Sequence, residues 1–167
     1  MPSSKLPPVR RIVIGHDNDA RSTIKYDSNL NGELLTKGVE AKTLWISDTF
    51  PADPNIKGDP TETHRGFMAK GSLIRTVDFP PRSEGVTHRT ESLDYIIMVK
   101  GSLLHWTDDG STTVVNAGDV LVQQATMHRW DNNTDEWARM VAVILPATEP
   151  VINGQKLRAD SHSIGLD

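Results

Sequence analysis

The stretch 93–124, LDYIIMVKGSLLHWTDDGSTTVVNAGDVLVQQ, decides the fold class. It breaks at Lys100-Gly101, at Asp108-Asp109-Gly110 and at Ala117-Gly118-Asp119 into short runs that alternate apolar and polar residues. Alternation is the period of a strand, and Asp-Gly tolerates the positive φ that a tight hairpin needs. The run Tyr95-Ile96-Ile97-Met98-Val99 is apolar on both faces, as is Val141-Ala142-Val143-Ile144-Leu145. A strand covered on both sides belongs in the middle of a layered structure or a dimer. Antiparallel hairpins built on such strands predict an all-β, two-sheet jelly roll.

The same pattern extends outward. Strands are expected over 11–15, 22–26, 41–47, 72–79, 93–100, 102–107, 112–116, 120–124, 128–132 and 138–145, and no stretch longer than three turns carries a helical apolar period. Ten Pro and 12 Gly, spread along the chain, agree with many short elements. The Pro- and Asp-rich segment 50–63, FPADPNIKGDPTET, reads as a long loop. The organisation expected is an N-terminal arm and loop over 1–63, a barrel over 64–150 and a tail over 151–167. Short arm strands do not stand alone. They must pair with the main sheet of the same subunit or of a partner, and a homodimer is expected in which the arm covers a sheet face or edge of the partner.

Composition excludes several classes of function. The chain has 167 residues with 18 Lys+Arg against 22 Asp+Glu, a net charge of −4, so it has no basic footprint for nucleic acid. It has no Cys, which removes disulfides, thiolate nucleophiles and Cys-ligated zinc and fits a reducing compartment. The opening MPSSKLPPVRR leads into only a short apolar run, so neither a signal peptide nor a membrane span is expected, and the location expected is cytoplasmic.

Six His carry the candidate chemistry. His16, His64 and His162 fall in expected loops without partners at matching spacing, and His105 alternates with Leu103 and Thr107 as a core or rim residue. His88 and His128 remain, with Asp94 between them in sequence. On one straight strand six steps would part His88 and Asp94 by ~20 Å. They share a ligand only if the polar Thr90-Glu91-Ser92 turns the chain. Three such donors from separate strands would form a two-His-one-carboxylate site with open positions, suited to Fe, Zn, Mn or Ni.

The segment His88-Arg89-Thr90-Glu91-Ser92-Leu93-Asp94, followed by six residues and Gly101, resembles the first cupin motif, with Asp94 at the Glu position and Thr90 at that of the second His. Gly118-Asp119 and then His128-Arg129-Trp130-Asp131-Asn132 resemble the second, with Gln123 and Ala125 where Pro and Gly are usual. The resemblance covers roughly 72–145. It implies a cupin-type double-stranded β-helix, a jelly-roll barrel preceded by an arm of short strands. It also implies a metal site on His88, Asp94 and His128, weakened because Asp94 is one methylene shorter than Glu and Thr90 is a poor ligand. The stretch is most similar to small single-domain cupins found beside genes for polyketides and other secondary metabolites, which implies a tailoring step on a small, oxygen-rich carbon skeleton.

Period two then assigns the lining. Trp130 and Asn132 share the face of His128, and Ile96 and Met98 share that of Asp94. Arg75 interrupts the stripe Leu73, Val77, Phe79, and Arg139 leads Val141, Val143, Leu145. An inward Arg clamps a carboxylate or enolate, whereas one at a strand end pairs with Asp78 or Glu136. Glu91 reads as an exposed turn residue or a base at the mouth. The function expected is dehydration, isomerisation or cyclisation of a carbonyl or phenolic substrate by His88, Asp94 and His128, with Arg75, Met98, Trp130 and Arg139 as substrate contacts. The alternatives are an Fe(II)-dependent dioxygenase and a non-catalytic metabolite-binding cupin.

Overall fold

A computed structural model of the chain describes residues 6–64 and 66–160. The chain forms β1 (Val9–His16), β2 (Ser22–Leu30), β3 (Glu33–Leu34), a 3₁₀ turn (Thr36–Gly38) and β4 (Glu40–Ser47). β5 (Ser72–Phe79), β6 (Ser92–Lys100), β7 (Ser102–Thr107), β8 (Thr112–Asn116), β9 (Val120–Gln124), β10 (His128–Asp131) and β11 (Ala138–Pro146) follow, then two short strands, β12 (Val151–Ile152) and β13 (Gln155–Lys156). The strands make a six-stranded sheet in the order β3-β4-β5-β11-β6-β9, a three-stranded sheet β10-β7-β8, and the hairpins β1-β2 and β12-β13. Two sheets facing one another across a shared interior are the expected jelly roll. No helix among the described residues is long and apolar enough to cross a membrane.

The core lies between the sheets. Val77, Phe79, Ile96, Met98, Leu103, Val115, Trp130 and Met140 pack there as one cluster. Gly101 makes the turn from β6 to β7 at φ +71°, and a Cβ on it would stand 3.0 Å from that of Ala138. Only glycine meets both conditions without strain.

β4 pairs with β5 inside the main sheet, so this part of the arm joins the sheet of its own chain, one of the two pairings expected, and of the arm strands only the β1-β2 hairpin stands apart from that sheet. That hairpin is held by its own chain: Arg11 pairs with Asp59 of the long loop and donates to Thr61 Oγ1 and Leu44 O, both at 3.2 Å. Within the single chain β6 is covered on one face only; Tyr95 and Val99 are exposed on the other.

One expectation is corrected, the parity of β11. Met140, Ala142 and Ile144 face the interior, while Val141, Val143 and Leu145 face outward with Arg139. Because β11 is apolar on both faces, alternation alone does not say which face is inner. The outer carboxylate of Asp78 decides it, taking Arg139 Nε and Nη2 at 2.6 Å each.

Candidate functional site

Backbone pairing brings the two site histidines together. His88 and His128 form an isolated antiparallel bridge, each N–H donating to the other's carbonyl at 3.0 Å. Residues paired in this way present their side chains to the same face, and the rings stand 4.2 Å apart between centroids. Gly85 allows the approach: a Cβ there would lie 2.2 Å from Trp130 O. Asn132, fully buried, fixes the far end of β10. Its amide donates to the carbonyls of Phe79, Pro80 and Glu136, and its Oδ1 accepts from Thr134. This second-motif Asn is therefore a structural staple.

Asp94 lies on β6 opposite Gln123 of β9. Gln123 Nε2 stands 2.8 Å from Asp94 Oδ2 and 3.2 Å from His128 Nε2, while its Oε1 stands 3.3 Å from His105 Nε2. A carboxylate requires a donor, so Asp94 sets the amide nitrogen toward itself, and the rest follows. His105 donates from Nε2. His128 donates from Nδ1 to Thr126 O at 3.0 Å and offers the Nε2 lone pair inward. His88 repeats the arrangement, donating from Nδ1 to Val86 O at 2.8 Å. Its Nε2 has no hydrogen-bond partner among the described residues.

These groups form the polar end of an otherwise apolar cavity of about 180 Å³ that Val77, Phe79, Ile96, Trp130 and Met140 also line. Burial dominates the electrostatics. It lowers the His128 pKa to about 3, with the neighbouring His88 and His105 adding to the shift against the Thr126 carbonyl. His105 is lowered, again mainly by burial. Asp94 is raised by burial, although Ser92, Gln123, His88 and Arg75 all favour its charged form. Its Oδ1 is buried without a hydrogen-bond partner.

His88, Asp94, His128, Arg75 and Trp130 all reach this cavity. Met98 does not: it is 1% exposed in the core, two residues deeper along β6 than Ile96. Arg139 does not either, being held on the outer face by Asp78. Thr90 lines the cavity with its hydroxyl 2.7 Å from that of Ser92. Glu91 accepts from Ala159 N at 3.1 Å and holds the C-terminal segment. His16 and His64 lie away from the cavity, and His162 lies outside the described residues.

Gln123 and His105 complete the cluster: His105 is buried and hydrogen-bonded, as its reading as a core or rim residue expects, whereas its link through Gln123 to the site is not legible in the sequence. Their signal was parity: Gln123 shares the inward face of β9 with Leu121, as His105 shares that of β7 with Leu103.

For a divalent ion the chemistry of the donors is suitable: two inward imidazole lone pairs fixed by carbonyls and one unpartnered carboxylate oxygen. Their placement is not. Among the described residues no three His, Asp or Glu stand so as to hold an ion together. The Gln123 amide nitrogen, a donor, occupies the point between Asp94 and His128. The arrangement is a hydrogen-bonded cluster rather than a coordination sphere.

The sequence signature of the cupin domain matches residues 75–144. The chain is 40% identical to phomopsin biosynthesis cluster protein C′ of Diaporthe leptostromiformis, over 90% of this chain and 86% of that protein. It is 30% identical to the cupin-domain-containing oxidoreductase fogC of Aspergillus ruber, over 99% of this chain and 86% of that one. Its fold is similar to the crystal structure of a cupin 2 conserved barrel domain protein from Salinispora arenicola, with a TM-score of 0.50 and 20% identity over 70% of this chain and 82% of that one. With both motif histidines side by side in the barrel and these relatives spanning nearly its whole length, the chain belongs to the cupin family.

Proposed function

We propose that the protein is a tailoring enzyme of secondary metabolism that moves a proton on a small carbonyl or phenolic compound, in a dehydration, isomerisation or cyclisation. The observation that carries this reading is the pair of unpartnered atoms at the polar end of the cavity, His88 Nε2 and Asp94 Oδ1. His88 has its other nitrogen committed to Val86 O, so the proton it gains or loses is at Nε2. Asp94 lines the same end of the cavity. His128, with Nε2 held by Gln123, acts as a wall and a hydrogen-bond partner rather than the base. A proton taken from the carbon beside the carbonyl leaves an enolate. Returning it elsewhere isomerises the substrate, and loss of a β-hydroxyl with that proton releases water.

The names of relatives such as fogC favour a second reading, an oxidoreductase, and a third is a cupin that only binds its metabolite. Turnover of polyketide-like aldehydes, enones and phenols in D₂O, with and without O₂ and added Fe(II), tests all three. Deuterium incorporation in the product and a loss of about 10²–10⁴-fold in His88→Gln are expected, with no need for O₂. An absolute requirement for Fe(II) and O₂ would move the assignment to a dioxygenase. Tight binding without turnover would move it to a carrier or sensor.

A further inference from the structure

Among the described residues Arg75 is the one guanidinium in the cavity lining, and its surroundings differ from those of the other sequestered arginines. Arg11 pairs with Asp59, Arg139 with Asp78 at 2.6 Å, and Arg89 with Asp108 at 3.7 Å. Arg75 is only 5% exposed, yet among the described residues no carboxylate lies within ion-pair distance of it. Its Nη2 donates to Gly66 O at 3.3 Å, Phe67 packs against the guanidinium at 4.3 Å, and Nε has no acceptor. A carbonyl and a ring orient a cation without neutralising it. Burial lowers the Arg75 pKa to about 10, which still leaves it charged at neutral pH.

The described residues of the lining supply only part of the missing charge. Lys37 and Arg75 bring two cations against the single carboxylate of Asp94, which acts on Arg75 through space but forms no ion pair with it and accepts from Gln123. These charged groups leave the described lining with an excess of one positive charge inside a protein of net charge −4. An unpaired buried charge costs several kcal/mol, and a counter-ion from a ligand removes much of that cost.

We propose that Arg75 anchors a carboxylate of the substrate, so that the cavity takes a small, largely apolar carboxylic acid. The placement rests on the proton-transfer reading above. Arg75 on β5 and Asp94 on β6 flank β11, two strand spacings across the sheet and two residues along it, roughly 12 Å apart at the backbone, and both side chains line the cavity. An acid held at Arg75 extends its carbon skeleton over Ala142 and Ile96 toward His88. Orientation therefore comes from the charged end, and the apolar walls select the body.

The test is calorimetric binding of two matched pairs, cinnamate against cinnamamide and 1-naphthoate against 1-naphthamide, to the wild-type protein, Arg75→Lys and Arg75→Met. The wild type is expected to bind the acid at least about tenfold more tightly than the amide, the scale of a charge-assisted hydrogen bond. Arg75→Lys should keep part of that preference, and Arg75→Met should lose it at an equal or higher melting temperature. Equal affinity for acid and amide in the wild type, no acid binding at millimolar concentration, or an unchanged preference in Arg75→Met would each overturn the proposal. If Arg75→Met does not fold, the wild-type ratio still decides. An acid preference that depends on Arg75, in a protein whose His88→Gln variant turns over normally, would keep the anchor and discard the proton-transfer reading. Loss of turnover in His88→Gln with no acid preference would do the reverse.

Discussion

The two faces of the main sheet invert the ordinary rule for a soluble protein. The inner face carries Arg75 and Asp94, both nearly inaccessible, beside Val77, Ile96 and Met140. The outer face exposes Tyr95, Val99, Val120 and Val122, with Val141 and Val143 half-buried beside them. Tyr95 stands in register with Val143 on one side and Val122 on the other, so the apolar stripe is continuous across three strands. Charges inside and hydrophobes outside both cost stability in an isolated chain. The proposed proton transfer and acid anchor would account for the inner exception, and the expected homodimer for the outer one.

The largest effect is expected at the inner wall. Trp130→Ala removes a side chain only 5% exposed that packs edge-on against His105 at 4.6 Å, and should cost about 3–5 kcal/mol in denaturant unfolding. A loss below about 1 kcal/mol would show that Trp130 is a loose pocket wall.

The next largest is the acid sensitivity of the inner face. His128 is held neutral in the fold at a pKa of about 3, below the ordinary value of 6.5, so the unfolded chain binds the extra proton between them. Its contribution is fully present above pH ~6.5 and falls away as pH drops toward 3, by a few kcal/mol. The raised pKa of Asp94 acts in the opposite sense and offsets part of the loss. His128→Gln should flatten the pH dependence of the melting temperature over this window. An unaltered profile would place the acid sensitivity elsewhere.

On the outer face, Val122→Asp sets a carboxylate in the middle of the stripe. Sedimentation equilibrium should show a wild-type homodimer and a dissociation constant raised by about 100-fold in the variant, through like charges meeting across the two-fold axis. A monomeric wild type at micromolar concentration would remove the second copy as the explanation of that face.

The smallest effect lies at the edge of the site. Ala125 sits at φ +49°, where cupins usually place Gly. A Cβ in this region costs about 1 kcal/mol, so Ala125→Gly should raise stability by up to that amount. A lowered melting temperature would mean that the buried methyl contributes more by packing than its backbone strain costs.

Much of this comparison was legible from residue order. The expected strands 72–79, 102–107, 112–116 and 120–124 match β5, β7, β8 and β9 to the residue, because Gly101, Asp109-Gly110 and Gly118-Asp119 mark turns by local backbone preference. β3, β12 and β13 were missed, since two-residue strands carry no period. Arg75, Asp94 and Trp130 were placed correctly in the cavity lining because each interrupts or shares a recognisable stripe. The rule failed for Arg139, where β11 is apolar on both faces. It failed for Met98 in a different way, because parity gives the direction of a side chain but not its depth.

By itself the sequence determined the boundaries of the central strands, the jelly-roll class and the absence of thiol chemistry. Each of these follows from short-range preference or from residue type. The tertiary structure alone decided which face of β11 is inner, that Gln123 bridges Asp94, His105 and His128, and that Arg75 is buried without the carboxylate that Arg139 has. Those are relations between side chains on different strands, set by register across the sheet. A one-residue change in that register would reverse every one of them while leaving the local signals of the sequence untouched.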